Sequence, residues 1–237
     1  HGRDRARGEA VVQQIQAAGG VAELLLADLA SLAEVRRLAD AVNGATSRLD
    51  ILINNAGVGS GGGDGGRQLS IDGYELRFAV NYLAGVLLTR LLLPPLEAAA
   101  PSRIVMVASL GQQAIDFADP MIERGYSGTR AYCQSKLAQI MFAIDLDAEL
   151  ALSGVSVNSL HPATYMDTTM VRRAGHQPRS TVEEGAAAIL NAALAPAAAA
   201  GGRFFNGLEE ARANPQAYDA GARAKLKTLS ERLTGPA

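Results

Sequence analysis

The chain has 237 residues, of which 48% are hydrophobic and 19% charged, and a net charge of −2. That length suits one domain with a full core, and that balance excludes a disordered chain. The near-neutral charge gives no electrostatic case for nucleic acid or an anionic membrane, the single cysteine (Cys133) excludes an internal disulfide, and histidines at 1, 161 and 176 are too scattered for a metal site.

Residues 4–18 have helical spacing, with Ala6, Ala10, Val11 and Ile15 on one side, and Gly19-Gly20 ends that helix. Residues 23–27 form a short apolar run of buried-strand type, closed by Asp28. Ser31 with Glu34 three residues on predicts a capping box for a helix to about Ala45. Residues 49–53 make a second such strand, ending at Asn54, and the glycine-rich stretch 57–66 predicts a mobile loop. A long helix is expected over 72–92, bent or ended by Pro94-Pro95. A strand over 103–108 precedes a polar, irregular section, and a helix over 129–151 ends before Gly154. A strand over 155–160, a helix over 182–194, a short strand over 203–205 and a terminal helix over 215–233 complete the chain, with an Ala-rich helix or linker at 192–200.

No apolar run approaches the ~20 residues of a membrane span. The longest, over 86–93, is interrupted by Thr89 and Arg90. No signal peptide is visible either, which sets a cytoplasmic, non-membrane expectation. Short apolar strands alternating with helices predict an α/β fold with a parallel sheet covered on both faces. Ligands of such sheets bind beyond the carboxyl ends of the strands. That rule singles out Asp28, Asn54 to Gly57, Ser109 and His161-Pro162.

Tyr132 and Lys136 stand four apart on a helix and so share a face. A free phenol titrates near about 10, and a neighbouring ammonium lowers that value. Tyr132 can then give or take the proton of a carbonyl/alcohol pair. The same spacing also fits an amphipathic helix with a surface Tyr and Lys. The Ser109 hydroxyl, just past a buried strand, can hydrogen-bond a substrate oxygen or merely cap the turn. No G-x-S-x-G elbow surrounds it, which speaks against a serine hydrolase. In Asn54-Asn55-Ala56-Gly57 small residues let backbone approach a nucleotide, although an Asn-rich turn reads the same way. The Asp28 carboxylate can meet an adenine or serve a helix N-terminus. Asn81, a mediocre helix former among apolar neighbours, predicts an inward amide that breaks a local helix bond and holds water. The Arg3 guanidinium suits the 2′-phosphate of NADP or simply starts a helix. His161 reads as a turn residue, and His176 and Cys133 as structural or surface groups.

In order along the chain, Asp28, Asn54-Asn55-Ala56-Gly57, Asn81, Ser109, Tyr132-x-x-x-Lys136 and His161-Pro162 resemble the short-chain dehydrogenase/reductase superfamily over 3–235. The run Ala131-Tyr132-Cys133-Gln134-Ser135-Lys136-Leu137-Ala138-Gln139, the long gap from Ser109 to Tyr132 and the ending 229–235 resemble its retinol-dehydrogenase-like branch. The resemblance implies a single Rossmann-type domain over 1–237. It implies an oxidoreductase that interconverts a small-molecule carbonyl and an alcohol, with NADP(H) preferred and NAD(H) as the second option. Tyr132 is then the general acid/base, Lys136 lowers its pKa and holds the nicotinamide ribose, and Ser109 orients the substrate oxygen. Asn81 connects Lys136 to a proton relay through a bound water. Asn55, Ala56 and Gly57 line the nucleotide, Asp28 and Leu29 meet the adenine, and Pro162 with Thr164 or Thr168 contacts the nicotinamide. Homo-oligomers are usual in the superfamily, although no residue here decides that. Pocket walls are expected from 58–70, from 110–128 with Ile115, Phe117 and Met121, and from 163–180 with Tyr165, Met166 and Met170, suiting a mostly apolar substrate.

Two departures stand out. Ala163 follows Pro162 where the family usually has glycine. The family's first strand and its T-G-x-x-x-G-x-G turn, which delivers helix N–H groups to a pyrophosphate, are missing. The expected sheet is therefore doubly wound and parallel but lacks the first βα unit and the second strand. Unpaired backbone is expected between the strand before Asp28 and the strand before Asn54. A chain starting at His1 is then expected not to fold stably alone, with about 30 upstream residues in the native protein. The competing expectation is a nucleotide-binding or interaction protein of the same fold with impaired catalysis. The intact Ser-Tyr-Lys-Asn set speaks against it, and the missing turn speaks for it.

Overall fold

A computed structural model describes residues 1–61 and 66–236. Its sheet runs in the order β1 (Ile51–Asn54), β2 (Ser102–Val107), β3 (Val155–His161), β4 (Phe204–Asn206), β5 (Glu209–Ala211). The pairings from β1 to β4 are parallel and the last is antiparallel. Side chains alternate across a strand, and β2 shows the consequence. Ile104 and Met106 pack with Leu137 and Met141 of α5 (Gly128–Glu149), whereas Val105 and Val107 pack with Ala188 and Ala192 of α7 (Val182–Leu194). A strand covered on both faces has no polar alternation, which is why β2 reads as one apolar run.

The helices follow their expected positions, with differences that matter near the site. Asp4 caps α1 (Arg5–Ala17) and Ser31 caps α2 (Leu32–Ala45). The expected capping box at Ser31 does not close. The Ser31 hydroxyl accepts from Glu34 N at 3.4 Å, but the Glu34 carboxylate takes the Asp28 N–H at 2.7 Å. A reciprocal box forms instead ahead of α7, between Thr181 and Glu184. The helix expected over 72–92 begins near residue 76 and passes through a π-helical segment, Phe78–Leu83, before α3 (Ala84–Leu91). Asn81 lies in that segment, where the winding is wider but the backbone bonding continues, with the Ala84 N–H reaching the Ala79 carbonyl. Pro94 and Pro95 open α4 (Leu93–Ala98), where a missing N–H is tolerated. The short strand expected over 203–205 is β4, whereas the short α6 (Thr169–Arg173) and β5, which pairs back onto β4 through a turn at Gly207 with φ 61°, were outside the expected elements. The terminal helix α8 (Ala220–Thr234) follows a 3₁₀ turn at Pro215–Tyr218.

Residues 23–27 are a correction. They form no strand, only one parallel bridge between Gly2 and Leu26. Extended backbone needs a partner along its length to use its N–H and C=O groups, and the segment meets only the first few residues. Between it and β1 lies a groove of about 520 Å³, bordered by Leu25, Leu29, Asn55 and Ala56. The edge of β1 away from β2 carries no strand among the described residues, as expected for this interrupted sheet. Of the glycine-rich loop, 62–65 lie outside the described residues. No described helix is long and apolar enough to cross a membrane.

Leu146 has no exposed surface and packs between α5 and the rest of the core. Leu146→Ala should cost about 2–5 kcal/mol in urea unfolding. A loss near zero would show that this face of α5 is not packed.

Candidate active site

The Ser127 hydroxyl caps α5 by accepting the Arg130 N–H at 3.3 Å. Lys136 stands two turns further on and is buried. Its ammonium donates to the Val107 carbonyl, at the end of β2, at 2.8 Å and to Gln139 Oε1 at 3.0 Å. Burial pushes the Lys136 pKa down to about 8. An ammonium has three N–H donors, and acceptors among the described residues take two of them. The Nζ atom lies 5.7 Å from the Tyr132 ring centroid, so residues 132 and 136 share a face as expected.

Ser109 follows the end of β2 and is buried, its hydroxyl accepting the Gly111 N–H at 3.0 Å. It also lies beside the Tyr132 phenol. A Cβ added at Gly111 would stand 3.4 Å from Ser109 Oγ and 3.5 Å from the Tyr132 ring, so both groups converge on one spot. The Tyr132 phenol is held above its ordinary value, chiefly by burial, with the Ser109 hydroxyl pulling it down and the neighbouring Cys133 thiol pushing it up. This corrects the expectation that Lys136 sets the phenol low. The ammonium is directed to Val107 and Gln139, and desolvation of the phenol dominates.

Asn81 enters from the π segment. Its Oδ1 accepts the Val58 N–H at 2.7 Å, while Nδ2 donates to the Val58 carbonyl at 3.1 Å and to Ser135 Oγ at 3.0 Å. The Ser135 hydroxyl in turn donates to the Tyr132 carbonyl at 2.7 Å. The expected inward amide is therefore present, and it grips protein groups. Asn81 and Lys136 meet at Gly57, where an added Cβ would stand 3.1 Å from Asn81 Oδ1 and 3.7 Å from Lys136 Nζ. Only a bare backbone keeps that corner open.

The remaining expected residues divide between two ends of this region. Asn55 and Ala56 are exposed on the groove beside β1. Asn54 turns inward and donates to Thr89 Oγ1 at 2.9 Å and Met106 Sδ at 3.2 Å, a structural role. At the far end Arg3 and Asp28 face each other at 3.8 Å with solvent around both. Leu29 is buried in a core cluster with Val80, Ala84 and Leu87 and borders the groove. Pro162 is buried. His161 pairs with Thr164 Oγ1 at 3.1 Å, and its pKa is lowered by burial and then by the Lys136 charge. Thr168 caps α6 by accepting the Val171 N–H, whereas the Thr164 hydroxyl stands beside His161 at the end of β3.

The expected pocket walls need correction. Ile115 is buried and Phe117 and Met121 pack against the main core, because the 110–122 loop folds inward onto it. Met166 packs against Gly185 of α7, while Met170 of α6 reaches over Gly59. Tyr165 adopts a left-handed backbone with φ 48° and stacks on His176 at 4.5 Å. Ser135 and Gln139 were missed as site residues, although Gln139 lies at i+3 from Lys136, a spacing that signals a partner on the same helix face.

The profile of the family described as short chain dehydrogenase matches residues 1–179. Human retinol dehydrogenase 13 is 37% identical over 226 residues, covering 88% of this chain and 67% of its own length. Human retinol dehydrogenase 14 is 35% identical over 265 aligned residues, covering 98% and 77%. Among solved structures, an uncharacterized protein from Mycobacterium paratuberculosis superposes with a TM-score of 0.76 at 31% identity, covering 98% of this chain and 81% of that one. The Pseudomonas aeruginosa RhlG/NADP active-site complex superposes with a TM-score of 0.68 at 27% identity, covering 86% and 82%.

The depressed Lys136 pKa has a signed consequence. Unfolded lysine titrates near about 10.4, so between pH 8 and that value the unfolded chain holds a proton that the folded one has released. Stability from this group therefore rises with pH across that window. Relative to Lys136→Met, the wild-type unfolding free energy should climb from pH 8 to pH 10. A flat difference would mean that the ammonium is not desolvated.

Proposed function

The chain belongs to the short chain dehydrogenase family of NAD(P)-dependent oxidoreductases, and on that premise we propose that it interconverts a carbonyl and an alcohol, with Tyr132 carrying the proton. The observation that supports this most directly is the convergence of the Ser109 hydroxyl, the Tyr132 phenol and the Lys136 ammonium at the end of β2. A dinucleotide fits the residues at two places. The open corner at Gly57, facing Asn81 and the remaining Lys136 donor, suits the nicotinamide ribose. The exposed Arg3 and Asp28 suit the adenine end. When bound, the nicotinamide supplies or accepts the hydride.

In the reducing direction Tyr132 donates its proton to the substrate oxygen as that oxygen gains negative charge. Ser109 hydrogen-bonds the same oxygen and stabilises the developing charge. The raised pKa of Tyr132 keeps the phenol protonated near neutrality, which is the form this direction needs. In the oxidising direction the Tyr132 phenolate takes the alcohol's proton, and the hydrogen bond with the Ser109 hydroxyl favours that phenolate. Lys136 orients the ribose with its free donor, and Asn81 holds the backbone that leaves room for it. Asn55, Ala56 and Gly57 line the nucleotide, Leu29 borders the adenine, and Pro162 with Thr164 lies on the nicotinamide side. The relatives named retinol dehydrogenases support an apolar alcohol or aldehyde as substrate class. The Arg3 guanidinium supports NADP(H) over NAD(H), since it matches a 2′-phosphate, and the NADP complex of RhlG is consistent with that preference.

Tyr132→Phe should bind NADPH as the wild type does, by fluorescence titration, and lose about 10²–10⁴-fold in turnover of an apolar aldehyde. Unchanged turnover removes Tyr132 from the mechanism, while a wild type that binds NADPH without turnover points to the impaired, nucleotide-binding reading. Arg3→Glu should cut the NADPH-over-NADH preference in kcat/KM by about tenfold, the effect of one charge-assisted contact. An unaltered preference would leave the 2′-phosphate without its proposed partner.

A further inference from the structure

The segment after Gly57 is held from one helix face by two side chains. Asn81 takes the Val58 N–H and C=O. Arg77, one turn earlier and therefore on the same face, takes the next two carbonyls: Nε donates to Gly59 O at 3.0 Å and a terminal N–H donates to Ser60 O at 3.0 Å. Arg77 is almost fully buried, as is Glu75, its ion-pair partner at 3.3 Å. The Tyr126 phenol closes the group. It accepts from Arg77 at 2.7 Å and donates to Glu75 at 2.9 Å. The second Glu75 oxygen accepts the Phe78 N–H at 2.8 Å, where the π segment begins.

A buried ion pair is a weak source of stability, because the desolvation cost offsets the attraction. What a planar guanidinium supplies is direction, as its donors leave in a fixed fork. Here the fork points at consecutive carbonyls of the segment that places Gly57. Gly128 gives an independent sign of the same contact. As the first residue of α5 it sits so close to the Ser60 carbonyl that a Cβ could not be accommodated. The 57–60 backbone is thus pressed between the helix bearing Asn81 and the helix bearing Tyr132 and Lys136.

We propose that Arg77 is a positioning residue for the nucleotide side of this site, clamping the Gly59–Ser60 backbone so that Gly57 stands at its working distance from Lys136. The inference rests on the oxidoreductase reading above. Neither Arg77, Glu75 nor Tyr126 touches the reacting atoms. The clamp acts through the 57–60 backbone.

The test uses the full-length enzyme with Arg77→Met, Arg77→Lys and Tyr126→Phe. Arg77→Met should raise the NADPH dissociation constant and KM about tenfold, the effect of losing one charged hydrogen bond, while kcat changes less than about threefold. Hydrogen exchange of peptides covering 55–61 should rise, with peptides from β2 and β3 unchanged. Arg77→Lys should recover the unfolding midpoint without recovering NADPH affinity, because an ammonium keeps the charge but loses the fork. If Arg77→Met fails to fold, Tyr126→Phe carries the same test. It leaves the ion pair and removes one hydroxyl, and it should raise exchange at 55–61 and weaken NADPH binding about threefold. Wild-type exchange at 55–61 in the variant that folds overturns the proposal, as does unchanged NADPH affinity with a lower midpoint, which marks a merely structural pair. A wild type that neither binds NADPH nor turns over an aldehyde sinks the oxidoreductase reading instead, and exchange at 55–61 still decides the clamp.

Discussion

A lysine ammonium removed from water must find acceptors or give up its proton. Lys136 does some of both. It bonds the Val107 carbonyl and Gln139 Oε1, and its pKa falls to about 8. Much of the local arrangement depends on that bond to Val107. It ties α5 to the carboxyl end of β2, two residues before Ser109, and so sets the separation between the hydroxyl and the phenol. It also explains why His161, at the end of the neighbouring β3, feels the Lys136 charge. The site is a place where two parallel strands end and one helix side chain bonds the end of β2.

The second constraint is the π segment at Phe78–Leu83. π-bulges are rare and concentrate at functional sites. Here all six residues are buried, and the altered winding presents Asn81 to Val58 and Ser135 at once. Through Ser135 the contact reaches the backbone carbonyl of Tyr132. A serine in the middle of a helix is ordinarily a mild liability, but this one relays a bond between two helices. The polar groups around the site therefore form a connected set. Gln134 Oε1 is the one buried side-chain oxygen or nitrogen among the described residues left without a partner.

The two ends of the site differ in physical character. Near Lys136, charges and hydroxyls are buried, and their effects are large because water is excluded. At Arg3 and Asp28 both side chains are solvated and 3.8 Å apart, so the pair contributes little to stability. In the proposed function, hydride chemistry belongs to the buried end and nucleotide selection to the exposed one.

Local signals in the sequence were enough for most elements. The apolar runs at β2 and β3, the helical spacing of α5 and α7 and the order of Asn81, Ser109, Tyr132 and Lys136 are all properties of neighbours along the chain. The runs and spacings fix periodicity and shared faces, and the order of the motif residues carries the resemblance to the family. The capping glutamate of Ser31, the strand at 23–27 and the walls at Ile115, Phe117 and Met121 came out differently in the fold. Each depends on a partner distant in sequence: the Asp28 N–H, a neighbouring strand, and a core built from other helices. The phenol of Tyr132 makes the same point in chemistry. Spacing alone places an ammonium one turn away, but the direction of a pKa shift depends on how much water both groups lose and on which carbonyl the ammonium reaches. The grip of Arg77 and Asn81 on 58–60 has no local signature either. Periodicity is written in the chain, whereas desolvation and the choice of hydrogen-bond partner exist only once distant segments are packed together.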